Sequence, residues 1–481
     1  MIRLGVDIGG TFTDFVALDA ESGRAWVWKR LTTPDDPSRA VLDGVDELLR
    51  QGDVNPADVS VLIHGTTLVA NALIERKGAR AGLIATEGHR DAIEIGREIR
   101  YDIYDLFLER PAPLVPRRLR LEARERVGAT GEVLVPLDTE ALARVVDGLR
   151  AEGVEAVAVC LLHAYANPAH EQQVEAAVRQ GLPGVPVSIS SRIAPESGEY
   201  ERASTTVANA YVQPLMARYL ARIQGSLAEK APRARLYVVL SNGGLASAEQ
   251  AQAVPVRLVE SGPAAGAMAA CRYAAGTGQR DLIAFDMGGT TAKMCVITAG
   301  RPATTHATEV AHRARFKKGS GIPLLVPTIH LIEIGAGGGS IARADALGLL
   351  KVGPQSAGAD PGPACYGLGG QDATVTDANL VLGYLDEASF LGGRMRLDRG
   401  AAEAALLRLG SQLGLTAIEA ARGIHELVNE SMAIATRRHV TEQARDPGRH
   451  ALVALGGGGP IHATGLARRL GIPTVICPPA A

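Results

Sequence analysis

Two aspartates, Asp7 and Asp286, each end an apolar strand and open onto a Gly-Gly-Thr turn, in DIGGTFTD (7–14) and DMGGTTAK (286–293). IRLGV precedes the first and FVAL follows it; LIAF precedes the second and MCVI follows it, so each reads as a β-hairpin. Gly9, Gly10, Gly288 and Gly289 let the main chain approach a phosphate and turn its N–H groups towards it. Thr11, Thr13, Thr290 and Thr291 add hydroxyl donors. A carboxylate beside a phosphate is repulsive unless a divalent cation lies between them, so Asp7 and Asp286 imply Mg²⁺, held directly or through its waters. Lys293 is placed to neutralise phosphate charge, a surface lysine after a hairpin being the ordinary alternative. One such hairpin would be commonplace. Two in the same strand–turn–strand setting argue for a duplicated phosphate clamp. Neither GxxxxGK[ST] nor a strand-to-helix GxGxxG with a trailing acid is present.

Other residues surround this pair with open alternatives. Gly456, Gly457, Gly458 and Gly459 in ALGGGGPIHA lie between a strand and a helix, where backbone can approach an adenine ring or simply turn tightly. GAGGGSIA (335–342) reads equally as a phosphate loop or a hinge. His64 ends a predicted strand beside Gly65, Thr66 and Thr67, where a small polar substrate can be held. The plainer reading of His64 is a hydrogen bond to a nearby carbonyl, and the catalytic and substrate-binding one is preferred here. Asp377 and Asn379 in TVTDAN read as helix-capping residues. Glu201 and Arg202 either line a cleft or lie on a solvated helix face.

The elements that must position these groups alternate along the chain. VSVLIHG, ARAGLIATEG, VEAVAVCLL and VPVSISS behave as strands between helical patterns, the mark of an α/β architecture with a largely parallel sheet. Helices are predicted over 38–50, 200–228 and 398–441, and from 461 to 470, with a last strand in TVIC. The proline- and charge-rich stretch 101–136 reads as an excursion over the surface or towards the active site, and 300–370 as irregular.

A chain of 481 residues exceeds one ordinary core, and a division into 1–195 and 196–481 is expected. Glycine, 55 residues, is enriched, which suits a site built from main-chain amides. A net charge of -2 without a Lys/Arg block gives no nucleic-acid footprint. No stretch has the length needed to span a bilayer, and Met1 leads straight into a strand, so no membrane anchor or signal peptide is expected. Five scattered cysteines without metal-ligand spacing fit a reducing, cytoplasmic setting.

In this order the motifs resemble the actin-like (ribonuclease H-like) ATPase superfamily, and much more specifically the hydantoinase A / 5-oxoprolinase family. HGTTLVANALIERKGA, GHRDAIEIGRE, RYDIYDLF, LLHAYANPAHE, VESGPAAGA, IGAGGGSIA, VGPQSAGADPGPACYGLGG and TVTDANLVLG carry the resemblance over almost the whole chain, together with the two hairpins and GGGGPIHA. It implies a two-lobed α/β fold with ATP and Mg²⁺ between the hairpins. It further implies ATP-dependent hydrolysis of a small cyclic amide of 5-oxoproline or hydantoin type, through phosphoryl activation of a carbonyl oxygen. ATP-dependent carboxylation of a ketone and a non-catalytic ATP-binding scaffold are the alternatives. A B-type hydantoinase subunit is the implied partner. On the resemblance, Asp7, Gly9, Gly10, Thr11 and Thr13 fall on the first phosphate motif, 286–293 on the second and Gly456 to Gly459 on the adenosine region. Two departures stand out. His330 occupies a position where an aspartate is expected, and the family's A chains continue past the PPA segment at which this sequence stops, into a C-terminal region expected on another polypeptide or lost by shortening.

Overall fold

Strict alternation in IRLGVDI buries Ile2, Leu4, Val6 and Ile8 on one face of a strand and leaves Asp7 on the other, open face. The computed structural model describes residues 1–33, 35–314 and 317–479. In it Ile2–Ile8 pairs antiparallel with Phe12–Asp19 and parallel with Val59–Thr66. Ala25–Leu31 extends this sheet at one edge, and Arg235–Val239 and Leu245–Ser247 extend it at the other. A second sheet repeats the plan: Leu282–Met287 pairs antiparallel with Ala292–Thr298 and parallel with Ala451–Leu455. The sequence repeat is thus a repeat of sheet topology as well as of turn chemistry. A third sheet, all parallel, runs Val187–Ile189, Ala156–Cys160, Ala81–Thr86, Arg120–Ala123.

The apolar cores divide the chain differently from the sequence reading. One core runs from Ile2 to Val259 and is rejoined by Val310, Ile322, Leu324 and Val326. A second runs from Ile283 to Ile472, and a smaller third, from Ala264 to Leu455, lies between helix Ser261–Thr277 and the second sheet. The packing division therefore lies near residue 260 and does not coincide with 195, because two strands beyond 195 complete the first sheet.

Helix Pro37–Gln51 starts where Asp36 accepts the Ser38 N–H. The helix predicted over 200–228 is Glu199–Lys230, and 398–441 holds two helices, Arg399–Leu413 and Ala417–Glu442. The 300–370 stretch is not irregular: it carries small antiparallel ladders, among them Thr308–Val310 with Ile322–Leu324 and Ser340–Ala344 with Leu350–Ser356. Such short strands separated by glycine and proline sustain no period that a sequence window can register. Among the described residues, no helix is long and apolar enough to cross a membrane.

Arg202 lies on neither a cleft wall nor a solvated face. It is 1% exposed, donating to Ser190 Oγ and Leu161 O, both at 2.8 Å. Ser190 Oγ in turn donates to the buried carboxylate of Glu171, which also accepts the N–H groups of Leu161 and Ser191. Glu201, one residue earlier, does reach the surface and takes a two-pronged contact from Arg97. Replacing Arg202 by Met leaves Ser190 Oγ and Leu161 O without their buried charged donor, and the expected loss is about 2 kcal/mol, read from urea midpoints.

Candidate active site

The two turns have the same internal bond. Gly9 N–H donates to Phe12 O at 2.9 Å, and Gly288 N–H donates to Thr291 O at 3.1 Å. Among the described residues, the N–H groups of Gly10, Thr11, Gly289 and Thr290 find no protein acceptor. The turns also meet each other with reciprocal contacts. A Cβ at Gly10 would lie 3.8 Å from Thr290 Oγ1, and one at Gly289 would lie 2.6 Å from Thr11 Oγ1. The second glycine of each copy therefore faces the threonine of the other, which sets two groups of free amides against a common space.

One helix, Ser261–Thr277, runs past both aspartates. Gly262 leaves room for Asp7, whose Oδ1 would lie 2.9 Å from a Cβ there; Gly266, one turn (about 6 Å) on, does the same for Asp286 Oδ2 at 3.6 Å. Gly65 closes the other side of Asp7, with 2.5 Å from a Cβ to Oδ1. Gly456 closes the other side of Asp286: its φ of 74° and a Cβ-to-Oδ1 distance of 2.3 Å both require glycine. Gly457 faces Lys29 across the cleft, Gly458 N–H donates to Met287 O at 2.8 Å, and Gly459 begins a helix. The 335–342 loop braces the second turn, with Gly338 N–H on Gly288 O (3.0 Å) and Gly339 N–H on Gly289 O (2.6 Å).

Charge is concentrated here. Asp14 faces Asp7 across the hairpin and binds Lys29 Nζ at 2.6 Å. Surrounding protein at the cleft floor, then the Asp14 and Asp286 carboxylates, push Asp7 up to about 7. Burial likewise raises Asp286, with Lys293 opposing. Burial alone would lower the Lys293 ammonium. Glu260, at 2.8 Å, and Glu333, at 3.8 Å, reverse this and hold it above its ordinary value.

Five expected site residues sit in settings that the sequence reading did not give them. His64 is completely buried: Nδ1 donates to Val6 O at 3.1 Å and Nε2 accepts from Tyr219 Oη at 2.8 Å. Burial lowers it to about 4, so it is neutral and has no ring nitrogen left for substrate. The catalytic and substrate-binding roles expected of His64 give way to a positioning one, since Val6 is the residue before Asp7. Thr13 is also fully buried, sharing a hydroxyl contact with Thr32, so it supports the turn instead of facing a phosphate. Thr66 gives its N–H to Ser261 Oγ, and Thr67 gives both its N–H and its hydroxyl to Ile8 O. With Gly65, they pack around the end of the strand that carries Asp7. Asp377 caps as expected, in a box with Thr374, while Asn379 bridges His425 and His462.

Asp14, Lys29, Gly262, Gly266 and Glu260 were missed from the sequence. Hairpin register would have placed Asp14 opposite Asp7, and the i, i+4 glycines of SGPAAGA were a readable sign of close approach.

Asp7, Asp286 and Asp14 give the cleft a donor set of carboxylates kept apart by glycines. Among the described residues, no group of three or more His, Cys, Asp or Glu is close enough to cage a metal directly. Carboxylate oxygens suit a hard cation such as Mg²⁺, which keeps most of its waters, and these groups would hold it through them. The ion, when bound, supplies positive charge to phosphate oxygens. The sign of the pH effect follows. With Asp7 raised from 3.8 to about 7, the ligand-free fold binds a proton that the unfolded chain releases, so stability falls as pH rises through that window. A cation binding the charged carboxylate offsets the loss, so MgCl₂ should raise the melting temperature more at pH 8 than at pH 5, a difference readable by scanning calorimetry.

Residues 3–182 match the family described as Hydantoinase/oxoprolinase N-terminal region, and residues 202–481 match Hydantoinase/oxoprolinase. The caprolactamase subunit alpha of Pseudomonas jessenii is 39% identical over 100% of this chain and 68% of its own length. The solved ATP-dependent caprolactamase from that organism superposes with a TM-score of 0.79 over 99% of this chain and 68% of that one. The acetophenone carboxylase gamma subunit of Aromatoleum aromaticum is 36% identical over 99% of this chain and 66% of its own length. Nucleotide-free acetone carboxylase is 27% identical, with a TM-score of 0.85 over 98% of this chain and 68% of that one. Taken with the paired hairpins, these likenesses establish a two-lobed, actin-like α/β fold, and the chain belongs to the hydantoinase/oxoprolinase family.

Proposed function

We propose that this chain uses ATP to phosphorylate the carbonyl oxygen of a small cyclic amide, as the A-type subunit of a hetero-oligomer. The observation that carries this reading is the reciprocal meeting of the two Gly-Gly-Thr turns, with Asp7 and Asp286 one turn apart along the same helix. Free amides of Gly10, Thr11, Gly289 and Thr290 would receive phosphate oxygens. Lys29 and Lys293 would supply fixed positive charge. The Gly456–Gly459 loop would take the adenosine side. Phosphoryl transfer needs positioned donors and cations more than covalent help from the protein, and that is what this cleft offers.

The amide oxygen would attack the γ-phosphorus and ADP would leave, giving an imidate-like phosphate ester. Water then adds at the ring carbon and the C–N bond opens, giving a free amine and an acyl phosphate, and a second water cleaves the acyl phosphate to a carboxylate and inorganic phosphate. Higher identity to the caprolactamase subunit favours a cyclic amide over a ketone, while the acetone carboxylase superposition keeps ketone carboxylation as the second reading. ADP release measured with and without a B-type subunit, across 5-oxoproline, hydantoins, caprolactam, and ketones with bicarbonate, separates the two. Stimulation only by ketone with bicarbonate overturns the cyclic-amide reading. Stimulation by none of them leaves the scaffold reading in its place.

A further inference from the structure

The segment from Ile95 to Arg110 inverts the usual design of a surface loop. Ile99, Ile103, Tyr104, Leu106 and Phe107 are 63%, 67%, 89%, 84% and 90% exposed. Its polar groups, by contrast, are tied to the chain. Tyr101 Oη donates to Glu109 O and Arg110 Nη1 donates to Ile95 O, both at 2.8 Å. Asp105 accepts the Phe107 N–H at 2.9 Å, and Lys317 pairs with Asp102. These anchors fix a tip that presents its apolar side chains outward. The chain has only six phenylalanines and 4% aromatic residues, so placing Tyr104 and Phe107 in open water is conspicuous. A contiguous exposed apolar patch marks a contact surface, and aromatic side chains are the usual anchors of one.

We infer that this tip docks the B-type partner subunit, with Tyr104, Leu106 and Phe107 entering an apolar depression on it. The inference rests on the hetero-oligomer reading above, which the subunit names of the caprolactamase and acetophenone carboxylase relatives support. A second copy of this chain is the poorer occupant, since a two-fold contact would set one protruding tip against another. An anionic lipid surface is poorer still, because the cations Arg313 and Lys317 beside the tip are already paired with Glu109 and Asp102.

The test uses the full chain co-expressed with a B-type hydantoinase subunit. Sedimentation velocity reports the complex and titration calorimetry its Kd. Phe107→Ser should weaken binding about tenfold or more, and Tyr104→Ser/Leu106→Ser/Phe107→Ser should abolish the complex. Val27→Ser, at a 58%-exposed apolar position on the first sheet, should leave Kd unchanged. Melting temperature and nucleotide binding of the isolated variants should match the unaltered chain, which separates lost docking from misfolding. Unchanged Kd in the triple variant overturns the inference, as does the absence of a complex with the unaltered chain. Loop-dependent self-association, or loop-dependent binding to phosphatidylcholine/phosphatidylglycerol vesicles, in place of the B-type complex overturns it too. ADP release by the unaltered complex is a separate readout: its absence sinks the cyclic-amide reading and leaves the docking result standing.

Discussion

Asp7→Asn should lower ATP turnover by the reconstituted complex about 10²–10³-fold while raising the stability of the ligand-free chain above pH 7. The two effects have one cause. Asp7 sits with Asp14 and Asp286 in a cleft that disfavours its charge, which is why it is pushed up to about 7. Removing the charge relieves that repulsion and, on the proposed function, also removes a carboxylate that would hold a hydrated cation against phosphate. Asn keeps the volume between Gly65 and Gly262, so the surrounding backbone need not move. Asp286→Asn should act in the same direction on turnover. A stabilised chain with lost turnover can be told from a misfolded one by melting temperature alone. Unchanged turnover in both variants would remove the clamp from the mechanism.

Gly289→Ala should cost about 10²-fold in turnover, whereas Gly288→Ala, one residue away in the same turn, should be nearly silent. A Cβ at Gly289 would lie 2.6 Å from Thr11 Oγ1 and 3.0 Å from Thr11 Cβ, on the opposite lobe. That contact is too short for any Cβ, so either the turns separate or Thr11 shifts, and the free amides no longer face one space. At Gly288 the nearest atom, Thr291 O, is 4.0 Å away, an ordinary contact. Because the expected damage comes from lobe contact, the Gly289→Ala/Thr11→Gly double variant should recover part of the lost rate. Steady-state ADP release on the four chains checks this. Equal losses at 288 and 289 would mean that the glycines serve the turn itself and not the approach of the lobes.

The duplicated hairpins were legible because each is a local object. Apolar strand, Asp, Gly-Gly-Thr and a second strand determine a turn closed by one bond between residues three apart, Gly9 to Phe12 or Gly288 to Thr291. The alternating strands and the long helix Glu199–Lys230 were legible for the same reason, their period being carried within the segment. His64 shows the limit. A histidine at a strand end beside Gly-Thr-Thr looks available, and only the packing of Tyr219, 155 residues on, reveals that both nitrogens are taken.

What the sequence determined alone is the presence of two equivalent Gly-Gly-Thr turns, the α/β class and the family. The tertiary structure decided which groups those turns face. Gly289 meeting Thr11, Gly262 and Gly266 making room for Asp7 and Asp286, and Lys29 reaching towards Gly457 all join residues far apart in sequence. Such contacts depend on how two cores dock, and docking is set by summed burial over both lobes, which no local pattern encodes.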